Sequence, residues 1–316
     1  MKLAVIGHLA RDIFHFRGPG DDDSERTVES YGGIFHSVST LANLLSPSDT
    51  IYPVFGISEK EYDLCLERLQ RYENVEKKGL FKLKGGPNQV HYFKGPFGTR
   101  TECSKDIAPP IPFSRIKPFL DVDGVLINMA SGFDITLETL DEIRMQIREE
   151  RIPIHFDFHM LTRGVDQNHN RFPRPLTDWR RWCFMMSSVQ MSEEEAAGLS
   201  AERYDEPTLI NQLMPLMVNA LLITRGERGA TLVHQEHKKL FRHEVPAPTT
   251  LPPVDSTGCG DVYGAAFIAE YLESHDFLKS ASSAGRAAAI KSTFLGADEL
   301  DTLRARIAAQ PLPTPS

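Results

Sequence analysis

Residues 254–267 have the sequence VDSTGCGDVYGAAF, in which a polar turn containing two glycines runs directly into an apolar helix. Gly258 and Gly260 leave no side chain between the backbone N–H groups and a ligand, and glycine readily adopts positive φ angles. Consecutive N–H donors at the start of a helix, together with the helix dipole, form a site for an anion. The segment therefore predicts a phosphate-binding turn.

Asp261 lies in the first turn of the predicted helix, beside the expected phosphate. Two roles fit a carboxylate at this position. It can accept the proton of an attacking hydroxyl during phosphoryl transfer. It can also serve only to stabilise the start of the helix, where aspartate is favoured. The spacing alone does not separate a catalytic base from a capping residue.

Strand-like and helix-like segments alternate along most of the 316 residues. Buried strands are predicted at residues 2–7, 50–55, 124–130, 152–158, 182–187 and 220–224. Helices are predicted at residues 34–45, 59–72, 136–150, 207–217, 264–274, 277–294 and 299–310. This alternation indicates an α/β fold with a doubly wound, mostly parallel sheet. Residues 14–31 and 89–107 have strand patterning without intervening helices, and they predict a small β-rich lid on a single domain spanning residues 1–316.

Composition narrows the class of protein. Apolar residues make up 41% and charged residues 25% of the chain, which is ordinary for a globular protein. The net charge of −8 argues against nucleic acid as a main partner, because nucleic-acid binders usually carry basic surfaces. No apolar run reaches the roughly 18 to 20 residues that span a bilayer. The N-terminus lacks a signal-peptide pattern, and the cysteines form no CxxC pair. We therefore expect a cytoplasmic protein that binds a small molecule and neither nucleic acid nor membrane.

Residues 255–261, DSTGCGD, supply in full a C-terminal signature of the ribokinase-like, or PfkB-type, carbohydrate and nucleoside kinases, which the chain resembles. This resemblance implies that Asp261 is the catalytic base and that the amides of Gly258, Cys259 and Gly260 form an anion hole. Cys259 is then a small residue in a tight turn and not a nucleophile. ATP is the phosphate donor that the resemblance implies.

A potassium-like cation is also implied by the resemblance. In many relatives the residues equivalent to Asp255 and the carbonyl of Thr257 help to hold this ion. The loop between Ser292 and Ala297 would supply further carbonyl groups nearby.

The segment ITRGERGA, residues 223–230, fits the same resemblance. Thr224, Gly226 and Gly229 match a Thr-x-Gly-x-x-Gly turn that lines the ATP phosphates and ribose in relatives. Alone, such a turn would be an ordinary hairpin connection.

The segment MSEEEAAGL, residues 191–199, resembles the Asn-x-x-Glu segment of the family, whose glutamate helps to place Mg²⁺, usually through water. Glu195 matches that glutamate, whereas Ser192 replaces the usual asparagine. The same residues predict a helix that begins after Ser192, with Glu195 completing a capping box. The two roles are compatible.

Positions on the acceptor side resemble the family less closely. Asp12 corresponds to an aspartate that hydrogen-bonds substrate hydroxyls in relatives. Gly32 and Gly33 match a di-glycine that lets the backbone approach the sugar, and Ser37 stands where asparagine is common. The departures lie on the acceptor side, whereas the signature at residues 255–261 is complete. The sequence therefore indicates retained phosphoryl-transfer chemistry with an atypical substrate.

Three further residues have two possible roles. Arg100, on the predicted lid, is either a substrate contact or an exposed strand residue. His36 either contacts substrate or packs at the start of a helix. His159, in an Asp-x-His where several sugar kinases have Asp-x-Asn, is either a substrate contact or a residue at a strand end. No zinc site is predicted from the histidines, because their spacing does not suit one.

The sequence thus predicts an ATP- and Mg²⁺-dependent phosphotransferase acting on a hydroxyl, preferably primary, of a sugar or sugar derivative. A nucleoside kinase is the alternative within the class, with Phe35 or Phe133 in a base pocket. A non-catalytic nucleotide- or sugar-binding regulator is the alternative of another class, motivated by Ser37 and Ser192. Pairing of two lids into a homodimer is left open. A dehydrogenase and a P-loop kinase are disfavoured, because neither G-x-G-x-x-G after the first strand nor GxxxxGK[ST] occurs.

Overall fold

The computed structural model describes residues 1–17, 25–94, 100–248 and 252–309. The strands are β1 (Lys2–Ile6), β2 (Leu9–Arg17), β3 (Glu25–Gly33), β4 (Thr50–Ser58), β5 (Leu80–Leu83), β6 (Gln89–Lys94), β7 (Arg100–Lys105), β8 (Gly124–Asn128), β9 (Ile154–Asp157), β10 (Arg163–Val165), β11 (Arg171–Pro173), β12 (Ser188–Ser192), β13 (Ala220–Thr224), β14 (Ala230–Glu236) and β15 (Lys239–Val245). The helices are α1 (Ile34–Leu44), α2 (Tyr62–Leu69), α3 (Phe113–Ile116), α4 (Leu137–Ile147), α5 (Trp179–Cys183), α6 (Glu193–Gly198), α7 (Glu206–Leu213), α8 (Cys259–Ser274), α9 (Phe277–Lys291) and α10 (Leu303–Ala309).

Nine strands form the main sheet in the order β15-β14-β13-β12-β9-β8-β1-β4-β5. All neighbours from β13 to β5 are parallel, and β14 and β15 add an antiparallel edge. The central strands are continuous apolar runs that are buried along their length, as parallel strands covered by helices require. The predicted doubly wound, mostly parallel α/β fold is confirmed. Every described helix is too short or too polar to cross a membrane.

The carboxyl ends of the parallel strands place polar residues side by side. Asn128 at the end of β8 is opposite Asp157 at the end of β9, and Asp157 is opposite Gln190 in β12. Ligands of open α/β sheets bind at this edge. The register therefore identifies where a site should be sought.

A second sheet, called the small sheet below, has the strand order β3-β2-β6-β7. The predicted β-rich segments are therefore present, although β2 begins at Leu9, before the predicted residue 14. One row of directly opposed residues runs across the sheet, and its members are Ser30, Asp12, Val90 and Ser104. All four are buried, so this row lies on the covered face of the small sheet. The sequence also predicts an acidic loop at residues 21–23 and a turn at residues 95–98, and both lie outside the described residues.

The hairpin of β10 and β11 closes one side of the small sheet. The amide of Ser104 in β7 donates to the carbonyl of His169 at 2.9 Å, and Cys103 is paired with Asn170. The hairpin therefore continues the small sheet beyond β7 and brings β11 beside its covered face.

Two predicted elements are wrong in position. The strand predicted at residues 182–187 is displaced to β12, because Trp179, Trp182 and Cys183 bury one face of α5 at helical spacing. The helix predicted from residue 264 begins at Cys259, because the left-handed backbone of Gly258 starts it five residues earlier.

Candidate active site

The turn at residues 255–261, called the anion-hole turn below, is shaped by Gly258. This residue has φ of 79° and is the N-cap of α8. A Cβ atom at position 258 would lie 2.6 Å from the ring of His36. Both the positive φ and this contact require glycine. The sequence at this position therefore follows from the backbone path of the turn.

The amides of the anion-hole turn are not all used alike. The N–H of Cys259 donates to the carbonyl of Ser256 at 3.1 Å, so it is engaged within the turn. The amides of Gly258 and Gly260 meet no acceptor among the residues that the structure describes. Two of the three amides expected in the anion hole thus meet no acceptor among the described residues, and they lie at the positive end of a 16-residue helix.

Asp261 is positioned by side chains from three other elements. Its Oδ1 accepts a 2.6 Å hydrogen bond from Nδ2 of Asn128, and its backbone carbonyl lies 3.4 Å from Oγ of Ser37. Gln190 Nε2 donates to the carbonyl of Gly260 at 2.9 Å and to Asp157 at 3.2 Å. Across the described chain, no lysine or arginine forms an ion pair with Asp261. The carboxylate is therefore oriented without being neutralised by a basic side chain.

His159 faces the acids at this site. One ligand atom each from Asp157, His159 and Asp261 lies within 4.8 Å of the others. Burial acts to lower the pKa of His159, but the carboxylates of Asp261, Asp157 and Glu195 outweigh it, and the pKa is raised. Burial and the neighbouring carboxylates raise the pKa of Asp157 well above its usual range. Of the two predicted roles for His159, its position therefore favours contact with the site.

Glu195 forms the capping box that the sequence predicts. Its Oε2 accepts from the amide of Ser192 at 2.7 Å, and its own amide donates to Oγ of Ser192 at 3.2 Å. Burial raises the pKa of Glu195. Asp157 and Asp261 offer carboxylate oxygens beside the anion-hole turn, which is the donor type that Mg²⁺ prefers, and the charge of Glu195 acts on Asp157 and His159. The residues present therefore fit a divalent cation.

Most of the predicted donor residues line one cleft of about 510 Å³, called the donor cleft below, whereas Gly258 is not among its lining residues. Thr224, Gly226, Gly229, Cys259 and Gly260 all contribute to it. Its remaining walls are largely apolar, and they include Val245, Ala247, Tyr263, Ala288 and Ala289. This volume lies within the range of about 300 to 1,000 Å³ that is typical of small-molecule sites. The cleft therefore extends well beyond the anion-hole turn.

The predicted acceptor residues lie deeper. Asp12 is 1% exposed; one of its oxygens accepts from the hydroxyl of Tyr92 at 3.3 Å and the other is 3.4 Å from Nε2 of His36. A Cβ at Gly32 would lie 2.1 Å from the Asp12 carboxylate, so glycine leaves room for that group. Gly33 ends β3 and is the N-cap of α1, with φ of 58°.

Two other acceptor candidates are placed differently. Ser37 is fully buried and contacts Asp261 and Asn128. Arg100 begins β7, and its side chain lies outside the described residues. His36 is buried between Asp12 and Gly258, so it connects the acceptor side to the anion-hole turn.

Lys291 is a charged group that the sequence reasoning missed. It is fully buried, and Nζ donates to the carbonyl of Phe294 at 3.1 Å. Burial lowers the pKa of Lys291, and this effect exceeds the opposite effect of Cys259 and Asp255, whose charges raise it. The amides of Val254 and Asp255 donate to the carbonyl of Ser292, so the lysine adjoins the anion-hole turn. A lysine directly after the small and apolar run at residues 287–290 was the available signal.

The ammonium of Lys291 thus donates to a carbonyl of the loop that the resemblance assigns to a monovalent cation, and its charge interacts with that of Asp255. Asp255, one predicted ligand, accepts from the hydroxyl of Thr257 at 3.0 Å. A second cation close to a buried ammonium would be repelled. The residues present therefore do not fit a bound K⁺ well.

Comparison with known proteins agrees with this architecture. Residues 176–302 match the family described as pfkB family carbohydrate kinase. Over 216 aligned residues the chain is 26% identical to a ribokinase of Bacillus subtilis (strain 168). The aligned region covers 68% of this chain and 61% of the relative, so the chain matches less than two thirds of that relative's length. The resemblance to the ribokinase-like family is confirmed.

Solved structures have the same fold. A sulfate complex of a pyrophosphate-dependent kinase in the ribokinase family superposes with a TM-score of 0.74 at 16% identity, covering 96% of this chain and 100% of that one. Ribokinase of Arabidopsis thaliana, complexed with ribose and ATP, gives a TM-score of 0.73 at 16% identity, covering 98% and 99%. The chain is thus an α/β protein with the ribokinase fold, and its residues 176–302 are similar to the pfkB family carbohydrate kinases.

Proposed function

We propose that this protein is an ATP-dependent kinase that phosphorylates a hydroxyl, preferably primary, of a sugar or sugar derivative. The observation that carries the proposal is the position of Asp261. It is a buried carboxylate, oriented by Asn128, that follows two backbone amides with no acceptor in the part of the chain that the structure describes. An anion site with an adjacent base is the arrangement that phosphoryl transfer requires.

The residues of the site suggest a sequence of events. Asp261 accepts the proton of the acceptor hydroxyl, and the hydroxyl oxygen forms a bond to the γ-phosphorus of ATP. The bond from this phosphorus to the β–γ bridging oxygen breaks, so ADP leaves with that oxygen. The amides of Gly258 and Gly260, and a positively charged His159, stabilise the negative charge of the transferring group. A bound Mg²⁺ would neutralise charge on the donor phosphates.

The apolar walls of the donor cleft support ATP, and not pyrophosphate, as the phosphate donor. Pyrophosphate needs only an anion site, whereas the apolar walls at Val245, Ala288 and Ala289 offer contacts for a nucleoside. We therefore propose ATP, with Mg²⁺ held near Asp157, Glu195 and Asp261. Comparing ATP with pyrophosphate as sole donor tests this, and faster turnover with pyrophosphate would contradict it.

The small sheet would act as a lid that excludes water from the acceptor. A nucleoside acceptor is less favoured, because Phe35 is fully buried against Tyr31 and is not available to a base, although Phe133 is partly exposed. A homodimer through the lid and a cytoplasmic location remain predictions.

The decisive experiment compares Asp261→Asn with the exposed control Asp63→Asn. ADP release is measured with a panel of sugars and nucleosides, and ATP affinity by calorimetry. We expect the Asp261 variant to lose about a thousandfold or more in kcat with little change in ATP affinity. Unchanged turnover would remove Asp261 as the base. If wild-type protein released no ADP with any acceptor, the non-catalytic regulator would replace the kinase.

A further inference from the structure

Arg171 is a buried guanidinium with most of its donors unused. Its Nε donates to Oγ of Ser104 at 2.8 Å. Nη1 and Nη2 are both buried, and neither meets a hydrogen-bond partner in the described structure. No ion pair of Arg171 with a carboxylate is found there either. Among the described residues, one neutral hydroxyl is thus the only hydrogen-bond partner of the positive charge on the hairpin β10–β11.

Such a group is costly unless a ligand completes it. Guanidinium has five N–H donors, and unpaired buried charge is strongly unfavourable. Burial lowers the pKa of Arg171 to about 10, so it remains charged near neutral pH. A carboxylate or a phosphate can pair with the two Nη groups in a bidentate manner. The unused side of Arg171 therefore has the chemistry of an anion site.

The charged side chains near Arg171 either form hydrogen bonds with other groups or lie too far away to form an ion pair with it. Asp134 accepts from the amides of His8, Ser131 and Gly132. Glu102 and Asp134 raise the pKa of Arg171 without approaching within ion-pair distance. Arg174 donates to the carbonyl of Leu161 and lies over the ring of Phe133. None of these groups satisfies the Nη donors.

The register of the small sheet relates Arg171 to Asp12. Asp12 is opposite Val90, and Val90 is opposite Ser104, which binds Arg171. Neighbouring strands are about 4.8 Å apart, so the backbones at Asp12 and Ser104 are about 10 Å apart on the same face. Tyr92, which donates to Asp12, lies in the next row. A molecule of about monosaccharide size would span this distance.

We infer that the acceptor carries a carboxylate or phosphate-ester group that binds Arg171, while its hydroxyls reach Asp12 and Asp261. This inference rests on the proposed kinase function and specifies its substrate class as anionic sugar derivatives. The net charge of the chain is −8, so the attraction arises from this local group and not from the overall field of the protein.

The test uses matched acceptors that share a free primary hydroxyl. Glucose is compared with gluconate and glucose 1-phosphate, and galactose with galactonate and galactose 1-phosphate. Turnover is measured as ADP release, and binding by calorimetry with a non-hydrolysable ATP analogue. We expect an anionic member to exceed its neutral counterpart at least about tenfold in kcat/KM and in affinity. The carboxylate and phosphate arms show which anion is recognised.

Variants assign the preference to Arg171. Arg171→Met should abolish the anion-to-neutral ratio, Arg171→Lys should keep part of it, and Arg148→Met, at an exposed position, should retain it. The comparison of acceptors in the wild-type protein also stands if a variant fails to fold. Equal or better use of neutral sugars would overturn the inference and leave the kinase intact. If the anionic sugars bound better than the neutral ones in an Arg171-dependent manner but no ADP were released, the anion site would be supported and the kinase function would be rejected. Absence of any charge-dependent difference would overturn it.

Discussion

The side-chain amide of Asn128 donates a 2.6 Å hydrogen bond to Oδ1 of Asp261, and both residues are buried. Asn128 ends β8, whereas Asp261 is in the first turn of α8, so the bond joins the sheet edge to the anion-hole turn. It restricts rotation of the carboxylate and defines the direction in which the other oxygen can accept a proton.

Replacing Asn128 by alanine should therefore affect chemistry more than donor binding. We expect kcat to fall by about 10- to 100-fold, because a misoriented base loses efficiency. The KM for ATP should change little, since Asn128 does not line the donor cleft. Steady-state kinetics provide the measurement, with the exposed Asn168→Ala as control. A wild-type kcat in Asn128→Ala would show that the bond is not needed.

His159 should contribute most at low pH. Burial opposes its charge, but Asp261 and the neighbouring acids raise its pKa. The imidazole is charged below that raised pKa, and its contribution is lost as the pH rises through it. The ratio of wild-type to His159→Ala kcat/KM should be about tenfold at about pH 6 and smaller at about pH 9. His237→Ala, at an exposed position, should match wild type throughout. A constant ratio across this range would argue against a charged His159.

Gly258→Ala should destabilise the fold as well as impair turnover. Alanine would have φ of 79° and would press its Cβ against His36. We expect a loss of about 1 to 3 kcal/mol in the free energy of unfolding, measured by urea denaturation. Gly198→Ala is the matched control, because no atom lies within 4 Å of its added Cβ. Equal stability of the two variants would contradict this account of the turn.

Lys291 should make turnover independent of K⁺. Exchanging K⁺ for Na⁺ or choline at constant ionic strength is expected to change wild-type kcat less than about twofold, because the ammonium is already in place. Lys291→Met should lower kcat about tenfold or more, with partial recovery in NH₄⁺. Lys279→Met, on the same helix and exposed, is the control. Strong stimulation of the wild-type enzyme by K⁺ would instead support a bound ion at Asp255 and Thr257.

His155 predicts a specific loss of stability in acid. Burial lowers its pKa to about 4, and its Nδ1 lies 2.7 Å from Oγ of Ser188. In the unfolded chain His155 binds a proton below about pH 6.5, whereas in the folded chain it binds one only below about pH 4. The free energy of unfolding therefore falls as the pH falls from about 6.5 to about 4. The loss should approach about 3 kcal/mol at the lower end.

The variant His155→Gln isolates this effect. Urea denaturation at several pH values should give a shallower fall in stability for the variant than for the wild type over the same interval. Parallel curves would assign the acid sensitivity to other groups.

Local patterns predicted most of the main sheet. Strands β1, β8 and β13 are largely apolar runs bounded by turn residues, which is the direct consequence of burial on both faces, whereas β9 also contains the buried polar residues His155 and Asp157. The predicted strand at residues 182–187 failed, because a short apolar run does not distinguish a buried strand from a buried helix. Only the packing of Trp179 and Trp182 settles that choice.

The residues proposed to bind the phosphate donor stand in local motifs, whereas their supporting contacts are not visible in the sequence. Thr224 and Gly260 stand in local motifs, and a motif carries its own geometry. Asn128, Gln190 and Arg171 act through the register of strands far apart in the chain. That register forms only when the sheets assemble, so no local pattern indicates these three residues.

The hairpin β10–β11 is connected to the small sheet through Ser104, and it is separate in the chain from the anion-hole turn and from the donor cleft. Selection of the acceptor and transfer of the phosphoryl group would then be encoded by different stretches of the gene. Exchanging this hairpin among homologues would be a direct route to new acceptor preferences with the reaction centre left intact.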